Sequence, residues 1–161
     1  MSILRDIVAT YRGPVPVLQR RIEGGAREDR ALAVLMAGCG LLFVAQWPRL
    51  ARQSFETGAE LEMLMGGSLM ALVFILPLIL YGLGALSHAV ARVVGGQGGF
   101  YSARMALFWA LLATAPAFLL NGLTEGFLGA GPQTALTGLL ALGVFLWFWV
   151  SGLWAVEKGR I

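Results

Sequence analysis

Apolar positions gather into four long stretches of this chain, and the charged positions are swept to their edges. Uncharged runs cover residues 31–48, 63–91, 105–124 and 126–156. A helix crossing a hydrocarbon core of about 30 Å needs about 20 predominantly apolar residues, with a lower limit near 17. Each run is long enough to cross once. The pattern therefore predicts an all-α integral membrane protein with four transmembrane helices, at about 31–47, 67–90, 102–123 and 134–154. A membrane domain over 31–156 is then flanked by an amino-terminal segment, 1–30, and a short tail, 157–161.

The amino-terminal segment carries a different pattern. Leu4, Ile7, Val8 and Tyr11 fall at i, i+3, i+4 and i+7, one face of a short helix. Pro14 and Pro16 interrupt it, and Val15, Leu18 and Ile22 begin a second apolar stripe beside Arg20 and Arg21. An amphipathic segment with arginines along its apolar face is expected to lie in the headgroup layer. Glu28 and Asp29 then place negative charge at the start of the first span, where the helix dipole favours it. Pro48 is expected to end that span, with a surface helix in the connection over 49–62.

The second and third spans each contain a proline, Pro77 and Pro116, and both are expected to bend. Between them the chain reads GGQGGF over 95–100, with Gly95, Gly96, Gly98 and Gly99 bracketing Gln97. So many residues without a Cβ cannot continue a helix, and a flexible turn of a membrane hairpin is expected. Gly82 and Gly84, with Ala85 and Ser87, mark an expected packed face, since small residues let helices approach closely. Gly122 and Gly126 form a GxxxG at the end of the third span, which leaves a homo-oligomer possible.

Composition strengthens the membrane reading. The 161 residues are 58% hydrophobic and 13% charged, against roughly 25% charged in soluble proteins. The formal charge of +3 comes from basic residues flanking the spans, which points to orientation and anionic lipid rather than to nucleic acid. Eleven arginines to one lysine fits a GC-rich bacterial genome. With the amino terminus inside, Arg5, Arg12, Arg20, Arg21, Arg27, Arg30, Arg92, Arg104, Lys158 and Arg160 lie inside, and Arg49 and Arg52 outside. The positive-inside rule prefers that orientation, which puts both termini and the glycine turn in the cytoplasm of a bacterial inner membrane.

Candidate chemistry is sparse. Cys39 is the single cysteine and His88 the single histidine, so neither a disulfide nor a histidine- or cysteine-based metal cluster is expected within the chain. His88, about a turn before Arg92, is expected to hydrogen-bond at the helix end; the alternative is a proton-transfer or ligand role. Glu125, the only ionisable residue between Arg104 and Glu157, is expected at the water interface, with a buried relay as the alternative. GGQGG lacks the Lys-Ser/Thr ending of a phosphate loop and follows a membrane helix instead of a strand. No catalytic, cofactor-binding or metal-binding residue is assigned, and no enzyme activity is expected.

The hairpin nevertheless resembles the YIP family of polytopic membrane proteins, named for interaction with Ypt/Rab GTPases in eukaryotes and widespread in bacteria. The carrying features are the small-residue-rich stretch 81–91, GGQGGF at 95–100, and the following span with Pro116. The amino-terminal DIVATYRGPVPVLQRRI is similar to bacterial members. Members are commonly described with five spans, whereas four are predicted here. The resemblance implies a non-enzymatic adaptor or scaffold acting through protein or lipid contacts. Its contact or packing residues would be Arg20, Arg21, Gly82, Gly84, His88, Arg92, Gly95, Gly96, Gly98, Gly99, Arg104 and Pro116. The alternatives are an accessory subunit of a larger respiratory or photosynthetic complex, and a small transporter, for which Asn121, Glu125 or His88 would face a polar cavity.

Overall fold

The structure, a computed structural model, describes residues 2–159; Arg160, counted above among the basic residues, lies outside them. Seven α-helices follow in order: α1 (Ile3–Arg12), α2 (Pro14–Ile22), α3 (Glu28–Thr57), α4 (Leu61–Leu69), α5 (Leu76–Val93), α6 (Phe100–Leu128) and α7 (Pro132–Glu157). A π-helical segment, Met70–Ile75, joins α4 to α5, and no strand occurs among the described residues. Four helical stretches are long and apolar enough to cross a membrane: Glu28–Thr57, Leu61–Val93, Phe100–Leu128 and Pro132–Glu157. The chain is thus an all-α membrane protein.

α6 runs through the centre. It packs along α3 on one side and α7 on the other, with α5 against its first half. Every residue over 105–115 is buried, so this stretch has no outer face. A helix apolar on all sides gains most by sitting inside a bundle. Beyond Ala115 the wrapping opens and Pro116 is exposed.

The amino-terminal helices complete that wrapping. Ile7, Thr10, Val17 and Leu18 are buried against the bundle, and the Trp109 indole N–H donates to Thr10 Oγ1 at 3.1 Å. Gly152 of α7 admits the Leu18 side chain, whose Cδ2 would stand 2.9 Å from a Cβ there. The stripe read from the sequence is therefore split. Ile7 turns to the protein, whereas Leu4 and Val8 stay 73% and 62% exposed. The segment is both docked and, on its outer edge, apolar.

One helix runs past the proline expected to end it, and a second absorbs its internal proline in a π turn. α3 does not stop at Pro48 but continues to Thr57, about 45 Å in all at 1.5 Å per residue. Gly58, in the left-handed region at φ 71°, ends it. The proline ring is accommodated because α6 presents Gly126 to it; a Cβ on Gly126 would overlap the Pro48 ring. No separate helix forms over 49–57. In the second span, the π segment precedes Pro77, which occupies the first turn of α5. Proline cannot donate and clashes with the carbonyl four residues back, and a π turn relieves that locally.

The helices alternate in direction. The start of α3, the end of α5, the start of α6 and the end of α7 meet at one end, together with α1, α2 and the glycine turn. At the opposite end, Arg52 donates to the Gly126 and Phe127 carbonyls at 3.3 and 3.2 Å, neutralising the end of α6. Gly122 and Gly126 lie in this region against α3, where a Cβ on Gly122 would overlap the Ala45 carbonyl. The GxxxG is consumed inside the chain.

Candidate functional site

The polar side chains of the glycine-turn end form three clusters around α6. The first is built on Glu157, the last residue of α7. Its side chain is 7% exposed and reaches back under the glycine turn, where His88 is 2% exposed. Glu157 Oε1 lies 2.7 Å from His88 Nδ1, where the Nδ1–H tautomer donates to it. Glu157 Oε2 accepts the Gly98 N–H at 3.1 Å, and its backbone carbonyl accepts the Gln97 N–H at 2.8 Å. Phe100 closes the imidazole from one side, with ring centroids 4.3 Å apart. One acidic residue thereby holds α5, the turn and α7 together.

The glycines make this possible by what they lack. A Cβ on Gly96 would overlap Glu157 Oε2 and lie 2.9 Å from the Ala91 carbonyl; on Gly98 it would lie 2.7 Å from Val156 Cγ1. Gly95 sits at φ 89°, in the left-handed region that L side chains adopt at a cost. Gly99 is the extended residue preceding α6. The turn expected to be flexible is pinned to α7 by two backbone N–H groups. A paired His and Glu can hold or pass one proton, but here the turn covers them. Their geometry is that of a clasp.

The second cluster centres on Arg104. Its guanidinium pairs with Glu28 at the start of α3 and lies 5.5 Å from the Tyr81 ring centre. Its aliphatic stem packs on Gly84, where a Cβ would come within 2.7 Å of Arg104 Cγ. The third cluster joins the amino-terminal helices to α6. Arg21 Nη2 pairs with Asp6 at 2.7 Å while its guanidinium lies 3.7 Å from the Trp109 ring centre. Arg20 Nη2 stands 3.6 Å from the same carboxylate. Burial pushes the Arg21 pKa below its ordinary value, and Asp6 opposes that.

Other expected positions stay apart. Gly82 points into open space, with nothing within 4 Å of a Cβ there, because its face of α5 turns away from the bundle. Arg92 and Pro116 are exposed. Glu125 lies at the opposite end, 3.9 Å from Arg49 and 30% exposed, beside Asn121 in a pocket of about 200 Å³. Asn121 donates to the Thr134 carbonyl and Thr137 Oγ1, both at 2.9 Å, tying α6 to α7. The buried stretch 105–115 lies between this pocket and the His88 clasp. Among the described residues, no three His, Cys, Asp or Glu side chains converge as a metal site.

Sequence reasoning missed Glu157, Thr10 and Trp109. The alternation of spans already puts the ends of α5 and α7 on one side, so a lone histidine near one end and an acid at the other form a findable pair. Thr10 and Trp109 offered no such signal. The YIP resemblance rests on the sequence features quoted above: no protein-family model matches the chain, and no curated protein or solved structure does.

Proposed function

We propose that the protein is a non-enzymatic adaptor or scaffold of the YIP type in the bacterial cytoplasmic membrane, acting through lateral contacts with another membrane protein. The observation that supports this most is the outer face of the continuous helix Leu61–Val93. In its most apolar stretch 17% of residues are buried, against 61% in the Phe100–Leu128 helix. That face also carries Gly66, Gly67 and Gly82, each with nothing within 4 Å of a Cβ. Within lipid, association draws on close packing at small residues. Here the internal GxxxG is occupied by α3, whereas these glycines have no partner within the chain.

The orientation belongs to the same reading. Basic residues concentrate at the glycine-turn end, with Arg49 and Arg52 opposite, so that end is cytoplasmic by the positive-inside rule. The accessory-subunit reading draws on the same outer face and differs in permanence. Purification of the full chain in gentle detergent, followed by quantitative mass spectrometry, separates the two. Sub-stoichiometric membrane partners are expected of an adaptor, and a large partner at fixed stoichiometry of a subunit. Recovery of the chain with lipid alone contradicts both.

A further inference from the structure

The glycine-turn end holds a cavity that none of the clusters above fills. It has a volume of about 400 Å³ and is lined by Ile3, Asp6, Arg20, Arg21 and Arg30. Three guanidinium groups face one carboxylate. That carboxylate is engaged by Arg21 at 2.7 Å, and Arg21 is itself fixed by stacking on Trp109. The Arg21 Nε is buried and has no hydrogen-bond partner among the described residues. Arg30 lies across the turn between α2 and α3, where Gly24 leaves room: a Cβ there would stand 2.6 Å from Arg30 Nη1. Arg30 has no ion pair among the described residues.

Holding like charges together is unfavourable unless an anion joins them. Arg20 and Arg30 both lower the Arg21 pKa by repulsion, which places all three within electrostatic reach of one another. Guanidinium groups are the side chains best matched to phosphate oxygens, which they bind in forked pairs. The setting selects the source of the phosphate. Ile3, on the cavity wall, is 51% exposed, and Leu4 and Val8 beside it are more so. These apolar residues continue the outer edge of α1 beside a membrane-spanning bundle. Such an edge seats at the boundary of headgroups and acyl chains. We propose that the cavity binds the phosphate of an anionic lipid headgroup through Arg20, Arg21 and Arg30. This site does not depend on the adaptor reading, since it would be occupied with or without a protein partner.

Native mass spectrometry of the full chain in detergent tests it, with titration by dioleoylphosphatidylglycerol, dioleoylphosphatidylcholine and inorganic phosphate. Phosphatidylglycerol is expected to bind roughly tenfold more tightly than phosphatidylcholine, at about one basic residue's worth of selectivity or more. Arg30→Glu should lower phosphatidylglycerol binding about tenfold or more, and Arg30→Lys should retain most of it. Arg27→Glu removes the same charge from an exposed residue outside the cavity, 59% exposed at its side chain, and serves as the control. Circular dichroism confirms that each variant keeps its helices. Equal binding of the two lipids overturns the proposal, as does equal loss in Arg27→Glu and Arg30→Glu. Displacement of phosphatidylglycerol by micromolar inorganic phosphate overturns the lipid assignment in favour of a soluble phosphate ligand.

Discussion

Replacing Glu157 by alanine removes the acceptor for two buried donors at once. His88 Nδ1–H, at 2.7 Å, and Gly98 N–H, at 3.1 Å, both lose their partner. A buried donor left unmade costs about 1–3 kcal/mol, so the pair sets a range of about 2–6 kcal/mol for a turn that stays in place. The turn can instead lift and let water in. Its anchorage is then reduced to the Gln97 N–H on the residue-157 carbonyl, a backbone bond that the substitution leaves intact. Release toward water brings the expected loss to the lower part of that range, about 2–3 kcal/mol. Glu157→Gln keeps one acceptor oxygen, for the Gly98 N–H, and offers an amide N–H to His88 Nδ1, which accepts in its other tautomer; the charge assistance is lost, about 1 kcal/mol. Two readouts separate these cases. Thermal unfolding in detergent should fall further for alanine than for glutamine. Hydrogen exchange at the Gly98 amide should rise roughly thirtyfold or more in Glu157→Ala, since about 1.4 kcal/mol is tenfold. The Trp109 region, held separately by Thr10, should keep its protection. Wild-type melting together with wild-type exchange at Gly98 in Glu157→Ala would refute the clasp.

Other substitutions discriminate used from unused glycines. Gly122→Ala and Gly126→Ala force α3 and α6 apart at Ala45 and Pro48, and each should cost at least about 1–3 kcal/mol in a thermal melt in detergent. Gly82→Ala meets nothing and should leave the isolated chain within about 0.5 kcal/mol of wild type. Trp109→Phe removes the donor to Thr10 and should loosen α1, read as faster proteolysis within Ile3–Arg12 while α3 to α7 remain intact. Single cysteines at Gln97 and at Phe55, which is 91% exposed, should report opposite faces in a Cys39→Ser background. In intact cells an impermeant thiol reagent should label position 55 and spare position 97; the reverse pattern inverts the orientation.

The four membrane helices were legible because length and apolarity alone identify a span. Where they end was not. Pro48 read as a stop, yet a proline inside a helix is tolerated when the neighbouring helix supplies room, and Gly126 lies far along the chain from it. Gly122 and Gly126 left a homo-oligomer open, because a GxxxG does not state which helix it receives. At the glycine turn, sequence gave the break in the helix but no anchor for it, since the anchoring carboxylate is 59 residues beyond Gly98. The amino-terminal stripe was correct in period but mute about which of its edges meets protein. Thr10, bonded to Trp109, and Ile7 share the buried edge, while Leu4 lies on the exposed one.

The outer face of Leu61–Val93 carries the functional account, and a photo-reactive amino acid placed at position 82 in living cells addresses it directly. The side chain there projects away from the bundle and leaves the fold undisturbed. Irradiation is predicted to join the chain to a second membrane protein at position 82, and to give no protein adduct from position 105, which is buried in α6. Adducts with lipid alone at position 82, or equal protein adducts from both positions, would contradict a scaffold that acts through this face.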